Sequence, residues 1–215
     1  MQKVRAVAVA VISTFVVAAH ADAQAMRNFD NSWFWGAKTG INTFSAPGHG
    51  NTSTANLGLD WLITRSKGGL YVSADQSIFE RDVEMFDQSA TTGQRTLQVN
   101  DLRRITFAGV AFPKHFGKVT PYAGLGYMLA VLGDVRIMSD SANAPPNNSF
   151  IDGVEQRRSR GSVLGMGGVQ IQTRRAAIFV QETLLPSNRN FLFPSTLSFF
   201  EFGIRYNFGS SIARE

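Results

Sequence analysis

Five charged residues, Lys38, Asp60, Asp75, Glu201 and Arg205, recur inside stretches whose side chains alternate between apolar and polar. Successive side chains of a β-strand point to opposite faces, so in each stretch the charge shares a face with glycines and small polar residues. The pattern is clearest over residues 196–208, TLSFFEFGIRYNF. There Phe200, Phe202, Ile204, Tyr206 and Phe208 share one face, and Glu201, Gly203, Arg205 and Asn207 share the other. The chemistry available to such a set is ion pairing. If the charged face is water-exposed, these are ordinary surface residues. If it is enclosed, each must find a counter-charge, because an unpaired buried charge is very costly. The mixture of signs permits this, for example Lys38 with Glu201 if the first and last strands are neighbours.

Other chemistry is thinner. Of the three histidines, His20 lies in an apolar leader, His49 in a Gly-rich loop (GHGN) with Ser45 and Ser53 nearby, and His115 in a short turn (KHFGK). A histidine and a serine on one loop make a weak nucleophile–base pair, and His49 reads as a polar loop residue. No catalytic residue, cofactor or metal site is expected: no ligand cluster has metal spacing, and the Gly-x-Gly runs fall inside strands rather than in phosphate loops. Asp82, Glu84 and Asp87 could attract Ca²⁺ but read more plainly as a solvated loop. Arg157, Arg158 and Arg160 could grip lipid phosphates with bidentate forks; an ordinary charged rim is the plainer reading.

The elements that must position these residues begin after an export signal. Lys3 and Arg5 precede an apolar run over residues 6–19, and small residues at A-x-A spacing follow, so cleavage is expected after Ala23 or Ala25. Residues 26–215 then form one domain carrying a net charge of +4, the whole-chain +5 corrected for Lys3, Arg5 and Asp22. The chain has no cysteine, so no disulfide holds this exported protein. No long Lys/Arg run exists, and nucleic acid is not an expected partner.

Alternation predicts eight strands, near residues 32–44, 54–65, 70–81, 102–113, 119–133, 157–172, 176–185 and 196–208, with no helical periodicity worth naming. Leu62 breaks the alternation of the second strand. The fourth strand is apolar on both faces from Ile105, and the seventh is unclear around Val180, Gln181 and Glu182, so both registers stay open. Connections after strands one, three, five and seven read as long (46–53, 82–98, 138–156 and 186–194); the others are tight turns. With a periplasmic N-terminus, an up-and-down barrel puts all long connections outside, as in outer-membrane barrels. A closed barrel satisfies every backbone group within lipid, and eight strands leave an interior just wide enough to fill with side chains. The apolar face then points to lipid and Lys38, Asp60, Asp75, Glu201 and Arg205 to the lumen, where Gly36, Gly40, Gly58, Gly124, Gly126 and Gly203 leave them room. Trp33, Trp35, Tyr206 and Phe208 gather where the first strand starts and the last ends, as a periplasmic aromatic girdle would.

The chain resembles the small eight-stranded outer-membrane barrels, the OmpA/OmpX/opacity-like group. The resemblance rests on GKVTPYAGLGYMLA (residues 117–130), similar to the family's Pro-Tyr then Gly-x-Gly-Tyr strand, and on the closing FEFGIRYNF. It implies an all-β, antiparallel, transmembrane barrel in the bacterial outer membrane, amid lipid and lipopolysaccharide. It also implies assembly through the C-terminal strand by the barrel-assembly machinery; a monomer is the expected state. It departs in having GSSIARE after Phe208, a tail too short for a peptidoglycan-binding domain. The resemblance is loose for function; the expected role is non-enzymatic, structural or surface-interactive through the outer loops. The alternatives are a narrow OmpW-like channel and, with least support, a lipid A-modifying enzyme.

Overall fold

The computed structural model describes residues 31–46, 50–138, 145–173 and 175–207. The expected signal peptide and its cleavage site, His20, His49 and Phe208 lie outside the described residues. Eight strands follow in chain order: β1 (Trp33–Ala46), β2 (Gly50–Thr64), β3 (Gly68–Phe86), β4 (Gln94–Ala111), β5 (Val119–Ile137), β6 (Ser159–Thr173), β7 (Ala176–Leu185) and β8 (Leu197–Tyr206). One helix, α1 (Asn148–Arg157), precedes β6. Each strand pairs antiparallel with the next, and β1 pairs with β8, so the sheet closes as an up-and-down barrel with no free edge.

Alternation sets the facing. Ile41, Leu57, Leu59, Ile105, Leu125, Val163, Phe202 and Ile204 are exposed on the outside, whereas Lys38, Asp60, Asp75, Glu201 and Arg205 are all buried within. The two open registers resolve the same way. In β4, Ile105 and Phe107 face out while Arg104, Thr106, Ala108 and Val110 face in; in β7, Val180 and Leu184 face out while Phe179, Gln181 and Thr183 face in. A narrow lumen needs small neighbours beside its long side chains. A Cβ on Gly36 would collide with Asp60 Oδ1, and one on Gly58 with Asp75 Oδ1, so both glycines make room for a carboxylate.

Three expectations about connections are corrected. In the first, expected over residues 46–53, strand pairing runs on until Ala46 faces Gly50. The second, expected over residues 82–98, is mostly strand: Arg81 through Phe86 pair with Val99 through Gln94, leaving residues 87–93 as the turn. Asp82 and Glu84 therefore sit on β3 rather than in a loop. The reason is a second alternation, with Val83, Leu97 and Val99 all buried on one face of the extended hairpin. A bulge between Ile78 and Arg81 re-aims β3 at this point. The third connection contains the helix that periodicity did not reveal. Asn147 caps it, its side chain accepting from Phe150 N at 2.8 Å, and only Phe150 and Val154 are buried from it. Ten residues with two apolar contacts give too short a stripe to read as amphipathic. The sixth strand accordingly begins at Ser159, two residues later than expected, with Arg157 in the last turn of α1 and Arg158 at its C-cap.

Candidate functional site

The barrel interior is the most highly built site of the molecule. Lys38, Asp60, Asp75, Glu201 and Arg205 are joined there by Arg104, giving three cations and three carboxylates in one buried layer. Lys38 Nζ donates to Glu201 Oε2 at 2.9 Å across the β1–β8 seam, the pairing that the mixture of signs allowed. It also lies 2.9 Å from Asp75 Oδ1, an ion pair without a directed hydrogen bond. Arg104 bridges the same two acids, 3.4 Å from Asp75 and hydrogen-bonded to Glu201 through Nη2. Arg205 Nε donates to Asp60 Oδ2 at 2.6 Å.

Neutral groups complete the layer. Glu201 also accepts from Asn56 Nδ2 at 2.7 Å and Gln181 Nε2 at 2.8 Å. Gln181 Oε1 accepts from Tyr122 at 2.9 Å and from Arg205 at 3.2 Å. Tyr71 accepts from Lys38 at 2.8 Å and from Gln181 at 3.0 Å. Two guanidinium planes lie over rings, Arg104 at 3.6 Å from the Phe199 centroid and Arg205 at 3.6 Å from that of Phe179. The arrangement neutralises and immobilises its charges.

Apolar layers close this network above and below. At the end where β1 starts and β8 ends, Phe34, Leu62, Phe112 and Tyr122 are buried, which accounts for Leu62 as the exception in its strand. At the opposite end the connection between β7 and β8 carries Phe191, Leu192 and Phe193 into the mouth. Phe193 packs against Phe44 at 4.5 Å and Phe79 at 5.9 Å, and Phe191 against Phe193 at 6.2 Å. Leu197 and Phe199 lie fully buried beneath. Nothing in one sequence says that a loop folds inward, although three large apolar residues in a row (Phe191-Leu192-Phe193) were the available signal.

Outside, Trp35 pairs with Trp61 on one side and Tyr206 on the other, and Trp35 stacks on Trp61 at 5.4 Å. Trp33 meets Trp61 edge-on at 5.2 Å. The expected girdle residues Trp33, Trp35 and Tyr206 thus gather with Trp61, which strand pairing alone adds. The three arginines do not act as one patch. Arg157 is exposed on α1, and Arg158 pairs with Glu155 at 2.8 Å. Arg160 turns inward, 3% exposed, under the β7–β8 connection, where its Nη2 reaches Pro186 O and its guanidinium faces Phe191 at 5.4 Å. Its Nε and Nη1 are buried and have no hydrogen-bond partner among the described residues.

Above the barrel, α1 packs Phe150 and Val154 onto the β3–β5 extension with Val83, Leu97 and Val99. In the hairpin turn, Asp87 is engaged by Arg95 at 2.6 Å and by Ser89. Burial pushes the Asp87 carboxyl up, but the Ser89 and Arg95 hydrogen bonds outweigh it and hold the group below the usual carboxylate range. His115 lies in the β4–β5 connection at the opposite end, 3.0 Å from Thr120 Oγ1.

Solved structures carry the comparison. The attachment invasion locus protein Ail of Yersinia pestis matches at 13% identity and TM-score 0.52, over 84% of this chain and 100% of that one. Neisserial surface protein A matches at 11% identity and TM-score 0.54, over 82% and 97%. The fold is that of the small eight-stranded outer-membrane β-barrels. No protein-family model matches the chain, and no curated protein sequence matches it. At such identities the likeness concerns the fold alone.

Proposed function

We propose that this protein is a resident outer-membrane barrel with a structural and surface-interaction role, exported by a cleaved signal peptide and without enzymatic activity. One observation carries the reading. The lumen holds a charge layer neutralised from within and stoppered by Phe44, Phe191 and Phe193, while the extended ends of β3, β4 and β5 carry α1 above it, with Phe150 and Val154 joining the same apolar core. A barrel built to conduct would keep its lumen polar and open to water. One built to display needs a rigid stem and an outward platform. Its surroundings are outer-membrane lipid and lipopolysaccharide, and the barrel-assembly machinery would read its last strand. The neighbour Ail is named for attachment and invasion, and the Neisserial protein as a surface protein, which fits the same role.

The test uses the absence of native cysteine. Gln88→Cys, at the hairpin turn, should react with a membrane-impermeant maleimide on intact cells. Lys67→Cys, at a periplasmic turn, should react only after permeabilisation. In planar bilayers the wild-type barrel should give no single-channel steps. Steady conductance from the wild type would overturn the display reading in favour of the channel.

A further inference from the structure

We propose that the outer wall between β2 and β5 seats one acyl chain of a phosphorylated outer-leaflet lipid, with Arg103 at its phosphate. The proposal rests on the outer-membrane reading above. Two adjacent rows of side chains, fixed by strand pairing, define the site. In one row Leu59, Ala74, Ile105 and Leu129 stand side by side across four strands; in the next, toward the outside, stand Leu57, Gln76, Arg103 and Val131. Ala74 is the small member between large apolar neighbours, and the wall dips there into a groove of about 680 Å³ that runs from Leu57 to Val131. The groove faces outward, since Leu57, Leu59 and Leu129 are 64%, 67% and 45% exposed. The lining also includes Gly58, Asp75 and Arg104 from the inward-facing rows, but the exposed side chains of Leu57, Leu59, Ile105, Leu129 and Val131 form an apolar wall that, within a hydrocarbon belt, takes a chain of methylenes.

The polar end of the groove supplies the choice among lipids. Arg103 stands eight residues from the periplasmic end of β4. At strand rise and barrel tilt that is about 20 Å of height, close to the outer edge of an apolar band about 25 Å tall. Its side chain is 67% exposed and is anchored through Nε, which donates to Asp101 Oδ2 at 2.8 Å. Gln76 Nε2 donates to the same oxygen at 3.1 Å. The anchoring uses one edge of the guanidinium and leaves both Nη groups without a partner among the described residues, in the fork geometry that suits a phosphate. An apolar dent ending at such a fork matches a lipid with a chain below and a phosphate above.

Native mass spectrometry of the folded full barrel in detergent tests this. The titrants are bis-phosphorylated lipid A and the same lipid with its phosphates removed. The wild type should retain one lipid A tightly. Arg103→Gln should weaken lipid A about tenfold or more while leaving the dephosphorylated lipid unchanged. Ala74→Phe, which fills the dent, should weaken both. Unchanged lipid A binding by Arg103→Gln overturns the phosphate contact, and unchanged binding by Ala74→Phe overturns the chain seat. Mobility shift on boiling reports separately whether each variant is a folded barrel. A wild-type protein that shows no shift and fractionates as soluble sinks the outer-membrane reading itself.

Discussion

Charge is handled in opposite ways at the two ends of this molecule. In the lumen, Lys38, Arg104 and Arg205 are matched against Asp60, Asp75 and Glu201 with almost no water access, and each acid accepts from more than one group or borders a glycine that makes room for it. On the β3–β5 extension, Arg136 and Asp134 pair at 2.9 Å with side chains 64% and 47% exposed. Distances are alike in the two places; dielectric is not. A pair in water is weakened by solvent and salt, whereas a buried pair is held by the high cost of leaving either member alone. The comparison teaches that exposure rather than distance sets what a pair contributes, and the buried Arg95–Asp87 pair of the β3–β4 turn behaves as the lumen pairs do.

The largest effect should come from breaking the lumen network at its hub. Glu201→Ala removes the acceptor of Lys38, Arg104, Asn56 and Gln181 at once. A loss of about 3–5 kcal/mol is expected, read as a lower temperature at which the barrel loses its SDS-resistant mobility. A smaller loss, about 1–3 kcal/mol, is expected from Gly58→Ala, whose Cβ would displace the Asp75 carboxylate; the same gel assay measures it. Little change there would mean the lumen has slack that the packing conceals.

Acid should separate the two regions. Asp87 has a lowered folded-state pKa, so its contribution is present above the unfolded carboxylate value and is lost as pH falls through the folded one. Below about pH 4 the β3–β4 turn should become protease-sensitive while the barrel stays SDS-resistant. Limited proteolysis across pH 7 to 3 checks this, and loss of both together would erase the distinction. The smallest effect belongs to Arg136→Ala, within about 1 kcal/mol and reduced further by salt, by urea titration of the folded barrel in detergent.

Much of this was legible from alternation alone. The spacing of Phe200, Phe202, Ile204 and Tyr206 against Glu201 and Arg205 carried the facing of the last strand, and the same rule placed Lys38, Asp60 and Asp75 on the polar face. Arg104 was half-legible: Arg103 and Arg104 are consecutive, so either register puts one cation inside and one outside, but an apolar pattern on both faces hid which. The β3–β4 extension was misread as loop because its polar residues outnumber its apolar ones, although Val83 with Leu97 and Val99 kept the period.

By itself, the sequence determined that there would be strands, how many, and which face of most of them is apolar, because a period of two is a local property of the backbone. Only the tertiary structure decided which charges meet. Closure brings Glu201 of the last strand to Lys38 of the first and to Arg104 across the lumen, while Gln181 is its direct partner on β7, and the first two contacts depend on register and curvature summed over all eight strands. Closure likewise decided that Phe191 and Phe193 fold into the mouth while Arg103 stays on the wall. No local pattern records where a loop finds apolar neighbours, and the barrel supplies them only after it has closed.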